Sequence, residues 1–268
     1  MKELNEYFDA NRRLWDNKTQ IHVKSDFYNM EGFMKGESSL RKLELGVLGD
    51  LSGKKLLHTQ CHFGQDTLSL QRMGAECTGV DFSDKAVAQA NALNTSLDLG
   101  AHFVCCNVLE MDQNIEELFD VVYTSYGVVT WLPNLNDWAE QISKRIKVGG
   151  TFYMIEFHPV LYMFEWEEDI IKYNYFNPGK PVEEIEQGTY ADKNADIAMK
   201  EYWWSHSLEA ILNSLIKNGF AIKEFKEYDY SPYEIFGGTG MQRADQEYVF
   251  KHNNVSIPHV FSVVAEKL

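Results

Sequence analysis

The 268-residue chain is 44% hydrophobic with a formal charge of −15, an ordinary globular composition for one α/β-sized domain with an elaboration. Its bases are scattered, as at Lys54–Lys55 and Lys144–Arg145–Lys147, and acids outnumber them. The basic footprint that grips a polyanion is missing, which argues against a nucleic-acid partner. No apolar run approaches the roughly 18 residues of a membrane span, so no membrane partner is expected. The start, MKELNEYFDANRRLW, lacks the apolar core of a signal peptide. Cys61, Cys77, Cys105 and Cys106 show no CxxC spacing. The expectation is a cytoplasmic protein with reduced thiols and no metal site.

The first fifty residues read as helical cover, with a broken apolar stripe at Leu4, Tyr7, Phe8, Leu14 and Trp15. Ser38 is the expected N-cap of a helix SLRKLELGVLGDL, closed by Gly53. Alternation follows. Strand 54–59 leads to a helix near 65–73, and strand 76–80 to helix 84–97, N-capped by Ser83. Strand 102–106 precedes a short helix near 114–118, and strand 119–124 a helix near 134–147. Val148–Gly149–Gly150 then turns into strand 151–157. Strands separated by helical segments of this length predict a mostly parallel sheet with helices on both faces. The rhythm breaks after His158–Pro159: residues 160–204 are rich in aromatics and acids, with an Asn177–Pro178–Gly179 turn expected inside a hairpin. This segment is expected to cap the core. Ser207 then caps the helix LEAILNSLIKNG, and the strands FAIKEFKEYDY and HVFSVVAEKL close the chain.

The segment from Lys54 to Ala90 is therefore a β–α–β unit with a tight turn at Gly64 and Asp81 at the tip of its second strand. Such a unit holds a nucleoside-containing cofactor at its first turn, and the acid accepts from ribose hydroxyls. Nicotinamide and flavin cofactors need G-x-G-x-x-G so that the backbone can close on a pyrophosphate. The turn Gln60–Cys61–His62–Phe63–Gly64 has a single glycine and supports such a cradle poorly. S-adenosylmethionine carries no phosphate and needs room for an amino-acid tail instead.

Over residues 38–268 the pattern resembles the class I S-adenosylmethionine-dependent methyltransferases. LLHTQCHFG aligns with the family's apolar strand and acid-x-Gly-x-Gly-x-Gly, and Gly79–Val80–Asp81–Phe82–Ser83 with its second motif. Asn107 in FVCCNVLE, FDVVYTSYGVVTWLPN and KVGGTFYMIEFHP follow in family order. His58 stands where an acid is usual, and Gln60 and His62 replace two glycines. A small-molecule subgroup with a Gln-Cys-His-x-Gly loop is similar, and EYWWSHSLEAILNSLIKNGF and IPHVFSVVAEKL resemble it too.

The resemblance implies a Rossmann-like fold with a mostly parallel seven-stranded sheet, in one domain over 1–268 with its N-terminal cover (1–50) and cap (160–204). It implies S-adenosylmethionine as cofactor and S-adenosylhomocysteine (SAH) as product. Gln60, His62 and Gly64 then line the methionine portion, Asp81 takes the ribose hydroxyls, and Phe82 covers adenine. Asn107 and the backbone of Val108 meet the adenine edge, and Ser125 lies near the transferring methyl group. His158, directly after the fifth strand, is the candidate base or acceptor-orienting group, with a turn histidine before Pro159 as its plainer reading; His206 has a weaker case. Thr124–Ser125–Tyr126–Gly127 lacks the Asn/Asp-Pro-Pro-aromatic signature of enzymes that methylate bases. The cap's rings, Tyr162, Phe164, Trp166, Tyr173, Tyr175, Phe176, Tyr190, Tyr202, Trp203 and Trp204, suit a ring-bearing small-molecule acceptor or simple packing. The functional expectation is direct methyl transfer to a small molecule. A non-catalytic SAM- or SAH-binding protein and a nicotinamide oxidoreductase are the alternatives.

Overall fold

A computed structural model describes residues 2–166 and 168–268. The cover comprises α1 (Lys2–His22), a 3-10 turn at Asp26–Tyr28, α2 (Met30–Met34) and α3 (Lys42–Leu48). The alternating part runs β1 (Lys55–Thr59), α4 (Gln65–Arg72), β2 (Glu76–Asp81), α5 (Asp84–Ser96) and β3 (His102–Cys105). It continues through α6 (Met111–Asn114), β4 (Phe119–Thr124), α7 (Leu135–Arg145) and β5 (Ile146–Phe157). Next come β6 (Phe164–Glu165), β7 (Ile170–Ile171), and the hairpin β8 (Val182–Gln187) with β9 (Ala198–Trp203). After α8 (Leu208–Lys217) and β10 (Phe220–Tyr228), two small hairpins follow. They pair β11 (Met241–Ala244) with β12 (Glu247–Val249), and β13 (Lys251–His252) with β14 (Val255–Ser256). β15 (Val260–Lys267) closes the chain.

The central sheet has seven strands in the order β10-β15-β5-β4-β1-β2-β3. β5, β4, β1, β2 and β3 are mutually parallel, whereas β15 runs antiparallel to both its neighbours. This is the expected mostly parallel sheet. Its inner strands β1, β2 and β4 are buried on both faces, as strands covered by helices must be, whereas the edge strands β3 and β10 are partly exposed. Trp138, Ile142, Phe152 and Leu215 fill one face beneath α7 and α8. Leu56, Leu68, Ala90 and Phe103 fill the other beneath α4 and α5.

Several local expectations give way. Ser38 does not start a helix: α3 begins at Lys42, and Glu44 accepts from the Arg41 backbone N–H at 3.1 Å. The neighbouring Ser39 donates to Asp66 at 2.6 Å and its N–H bonds Ser69 Oγ, which draws residues 38–41 out along α4 as a strap. The helix expected near 114–118 lies earlier, because Asn107 caps a 3-10 turn at Val108–Glu110 that runs into α6. Val148–Gly149–Gly150 is an irregularity inside β5 rather than a turn before it, with Gly149 at φ +77°. The Asn177–Pro178–Gly179 turn precedes the β8–β9 hairpin instead of forming its tip. Ser83 and Ser207 do cap α5 and α8, accepting from Ala86 N and Ala210 N.

The cap is larger than the 160–204 segment. Residues 229–259 form a second insertion, and Phe236 and Phe250 from it pack with Leu161 and Phe164 in a third apolar cluster. No described helix is long and apolar enough to cross a membrane.

The cover is clamped to the cap. Asn11 in α1 donates to Tyr202 O at 2.7 Å and accepts from Tyr202 N at 2.9 Å, standing in for a neighbouring strand beside β9. Asn11→Ala is expected to cost about 1–3 kcal/mol for the two bonds and to speed amide exchange through α1 more than in the central sheet; uniform exchange changes would refute a local clamp.

Candidate active site

The β1–α4 loop is bent by three left-handed residues: Gln60 at φ +53°, His62 at +51° and Gly64 at +80°. Glycine takes this conformation freely, whereas other residues pay roughly 1–2 kcal/mol each. Gly64 is also sterically required, since a Cβ there would lie 2.6 Å from the Phe103 ring. Asp81 holds the bend. Its Oδ2 accepts from His62 N at 2.8 Å and its Oδ1 from Ser83 N at 2.9 Å, tying the tips of β1 and β2 together. Burial pushes the Asp81 carboxyl up to about 6.

Beyond these tips lies a cavity of about 610 Å³, within the usual range for small-molecule sites. Gln60, His62, Gly64, Asp81, Phe82 and Ser125 all line it. Gln60 Nε2 donates to Val128 O at 3.0 Å while its Oε1 stays buried and unpartnered. His62 Nε2 lies 2.9 Å from His22 Nδ1, and its Nδ1 is likewise orphaned. Burial lowers His62 to about 3 and His22 to about 2, so both rings are neutral and share one proton between them. His58 lies beneath, linking Thr67 Oγ1 at 2.9 Å to Ser125 Oγ at 3.2 Å, also neutral through burial.

Phe82, Asn107 and Val108 meet in an adjoining slot of about 30 Å³, room for a water or two. Phe8 of α1 and Trp131 share that slot. The Asn107 Oδ1 accepts from Leu109 N at 3.0 Å, so its turn-capping task occupies the side-chain oxygen.

His158 stands apart. It sits at the expected edge of the sheet but lines neither space. Its Nδ1 accepts from Val160 N at 3.2 Å and its Nε2 lies 3.0 Å from Glu227 of β10, while the residue is 3% exposed. It is a turn histidine held by a tertiary partner, and the candidate role as base is withdrawn. His206 is similarly engaged, with Nε2 2.7 Å from Leu132 O. Of the cap's rings, Tyr162, Trp166 and Tyr190 line the cavity, whereas Trp203 packs against Tyr173.

Three groups escaped the sequence reading. Glu156, buried at the end of β5, accepts from the backbone N–H of Gly127, Val128, Val129 and Phe157. It thereby fixes the loop whose Val128 carbonyl receives Gln60; an acid inside the apolar run YMIEF was the available signal. Lys18 is buried against Glu186 at 2.5 Å and Glu201 at 3.9 Å, over the Trp15 and Trp131 rings. Arg41 lines the cavity, its guanidinium 4.9 Å from the Tyr233 ring centroid. Neither cation had a local sequence signal.

Residues 57–154 match the methyltransferase domain family. A 137-residue stretch is 30% identical to the ubiquinone biosynthesis O-methyltransferase of Cronobacter sakazakii, covering 49% of this chain and 55% of that protein. The chain thus spans about half the length of the curated relatives it matches. Among solved structures, the fold is similar to a Pyrococcus horikoshii protein with TM-score 0.59 at 14% identity, covering 92% of this chain and 95% of that one. It is also similar to an S-adenosylmethionine-dependent methyltransferase from Mesorhizobium loti, with TM-score 0.54 at 19% identity over 87% and 100% of the two chains. Strand order and family match agree: residues 57–154 match a methyltransferase domain, and the sheet has the fold of the solved S-adenosylmethionine-dependent methyltransferases.

Glu156→Gln replaces an acceptor-only carboxylate by an amide whose NH2 faces backbone donors. Leaving buried N–H groups unpaired is expected to cost about 1–3 kcal/mol each, with amide protection lost first at residues 127–129. Unchanged protection there would remove Glu156 from its ordering role.

Proposed function

We propose that this protein is an S-adenosylmethionine-dependent methyltransferase that acts on a small-molecule acceptor by direct methyl transfer. The observation that carries the reading is the pair of orphaned polar atoms, Gln60 Oε1 and His62 Nδ1, on a loop that otherwise fits the methyltransferase pattern. An amino-acid tail answers both. Gln60 Oε1 accepts from its ammonium. With its proton on Nδ1, His62 takes the His22 N–H at Nε2 and offers its own N–H to the carboxylate. Asp81 accepts from ribose hydroxyls with its remaining lone pairs, and Phe82, Asn107 and Val108 frame adenine once Phe8 withdraws from the slot. The C. sakazakii relative, an O-methyltransferase by name, is consistent with this reaction class.

When bound, the cofactor supplies an activated sulfonium methyl group. The residues' share is alignment and exclusion of water. α1, the 38–41 strap and the two cap insertions supply that enclosure, and Ser125 orients groups near the reacting centre.

The second reading, a non-catalytic SAM- or SAH-binding protein, is favoured by the two side chains standing where glycines are usual. Calorimetric titration separates the readings. Wild-type protein is expected to bind SAH and to give no heat with NADH; the reverse result would restore the oxidoreductase. Asp81→Ala is expected to weaken SAH binding by about 1.5–3 kcal/mol, and unchanged affinity would take Asp81 out of the site.

In the Gln60→Gly/His62→Gly variant, relief of left-handed strain opposes loss of the Val128 and His22 hydrogen bonds. Its melting temperature is expected to move little while SAH affinity falls. Tighter SAH binding than wild type would make the second reading the better one.

A further inference from the structure

We propose that the methyl acceptor is a carboxylic acid with an apolar, ring-sized body, and that Arg41 receives its carboxylate. The proposal rests on the methyltransferase reading of the same cavity.

Two cations line that cavity, and they differ in what already neutralises them. Lys18 is paired with Glu186 and Glu201. Arg41 forms no ion pair among the described residues, and its Nε is buried without a hydrogen-bond partner. The acids within Coulombic reach of Arg41 are Glu44 and Asp66, and both are engaged elsewhere. Glu44 Oε2 accepts from the Arg41 backbone N–H at 3.1 Å, and Asp66 Oδ1 accepts from Ser39 Oγ at 2.6 Å. Burial pushes Glu44 up to about 7 and raises Asp66 as well.

The hydroxyl of Tyr126, which also lines the cavity, is the second orphan donor on this side. Buried donors without partners are costly, and a planar guanidinium fork matches a carboxylate in geometry and charge. Tyr233 is the neighbour that already engages the guanidinium, through a side-chain hydrogen bond and with its ring centroid 4.9 Å away. Phe27, Phe157, Tyr162, Trp166 and Ile235 give this cavity its aromatic and apolar surface, beside polar groups such as Glu37 and Asp66. Its chemistry therefore selects one anionic end and a hydrophobic body.

The cofactor's own carboxylate is the other source of such an anion. In the reading above His62 meets that carboxylate and Gln60 the ammonium beside it, and both residues belong to the β1–α4–β2 unit. Arg41 comes from the strap before α3, and Tyr233 and Ile235 from the 229–259 insertion, so this group is built from elements outside that unit.

The test is calorimetry with benzoate, phenylacetate and 3-phenylpropionate, each beside its primary amide, with and without saturating SAH. Wild type, Arg41→Gln and Arg41→Lys are compared. At least one acid is expected to bind wild type on the order of 10- to 100-fold more tightly than its amide. Arg41→Gln should erase that preference, Arg41→Lys should restore part of it, and SAH affinity should be equal in all three proteins. A fall in SAH affinity in Arg41→Gln would overturn the proposal by assigning Arg41 to the cofactor. Equal binding of acids and amides, or no binding of any acid, would overturn it too. Wild type that prefers acids yet never binds SAH would instead sink the methyltransferase reading and leave the carboxylate subsite standing.

Discussion

The Asp81 carboxylate is the contact on which the remaining architecture turns. Its two oxygens hold His62 N–H and Ser83 N–H, fixing the strained β1–α4 loop against the first turn of α5. With that loop fixed, Gln60 reaches across to Val128 O and His62 to His22. One contact joins the sheet to the loop after β4, and the other joins it to the cover. A carboxylate usually read as a ligand group is here first a structural acceptor.

The cavity is assembled from segments far apart in the chain. α1 contributes Lys18, the strap Arg41, the β8–β9 hairpin Glu186 and Glu201, and the second insertion Tyr233. Glu156 supplies the order that these irregular pieces lack, gathering four backbone donors from the end of a buried strand. The sheet thus provides rigidity at its carboxyl edge, while the insertions provide many of the side chains that line the cavity. Open α/β sheets place ligands at this edge for the same reason.

The alternating core was legible because its signals are local. Apolar runs such as KLLHT, the glycine at the tight turn and the serine caps before α5 and α8 each act within a few residues. Ser38 misled because its neighbour Ser39 has tertiary partners in α4, which no propensity for capping reveals. The helix expected near 114–118 moved because Asn107 starts a turn earlier than the apolar pattern does. Residues 229–259 went unread: their strands are two to four residues long, too short for any period to register. His158 was placed at the right edge, but its ring is engaged by Glu227 from β10 and lines neither space. Lys18 and Arg41 take their meaning wholly from partners distant in sequence.

Asn11, bonded to both backbone groups of Tyr202, makes α1 a surrogate edge strand for the β8–β9 hairpin. The same helix carries Phe8 into the slot beside Phe82 and Asn107. On the proposed reading of that slot, access for the cofactor is tied to detachment of a helix from a strand edge, a collective motion of the kind that runs on microsecond-to-millisecond timescales. On that reading, apparent affinity is lowered by whatever fraction of molecules is held shut. The clamp that shields the cavity from water also sets the pace of exchange with solvent.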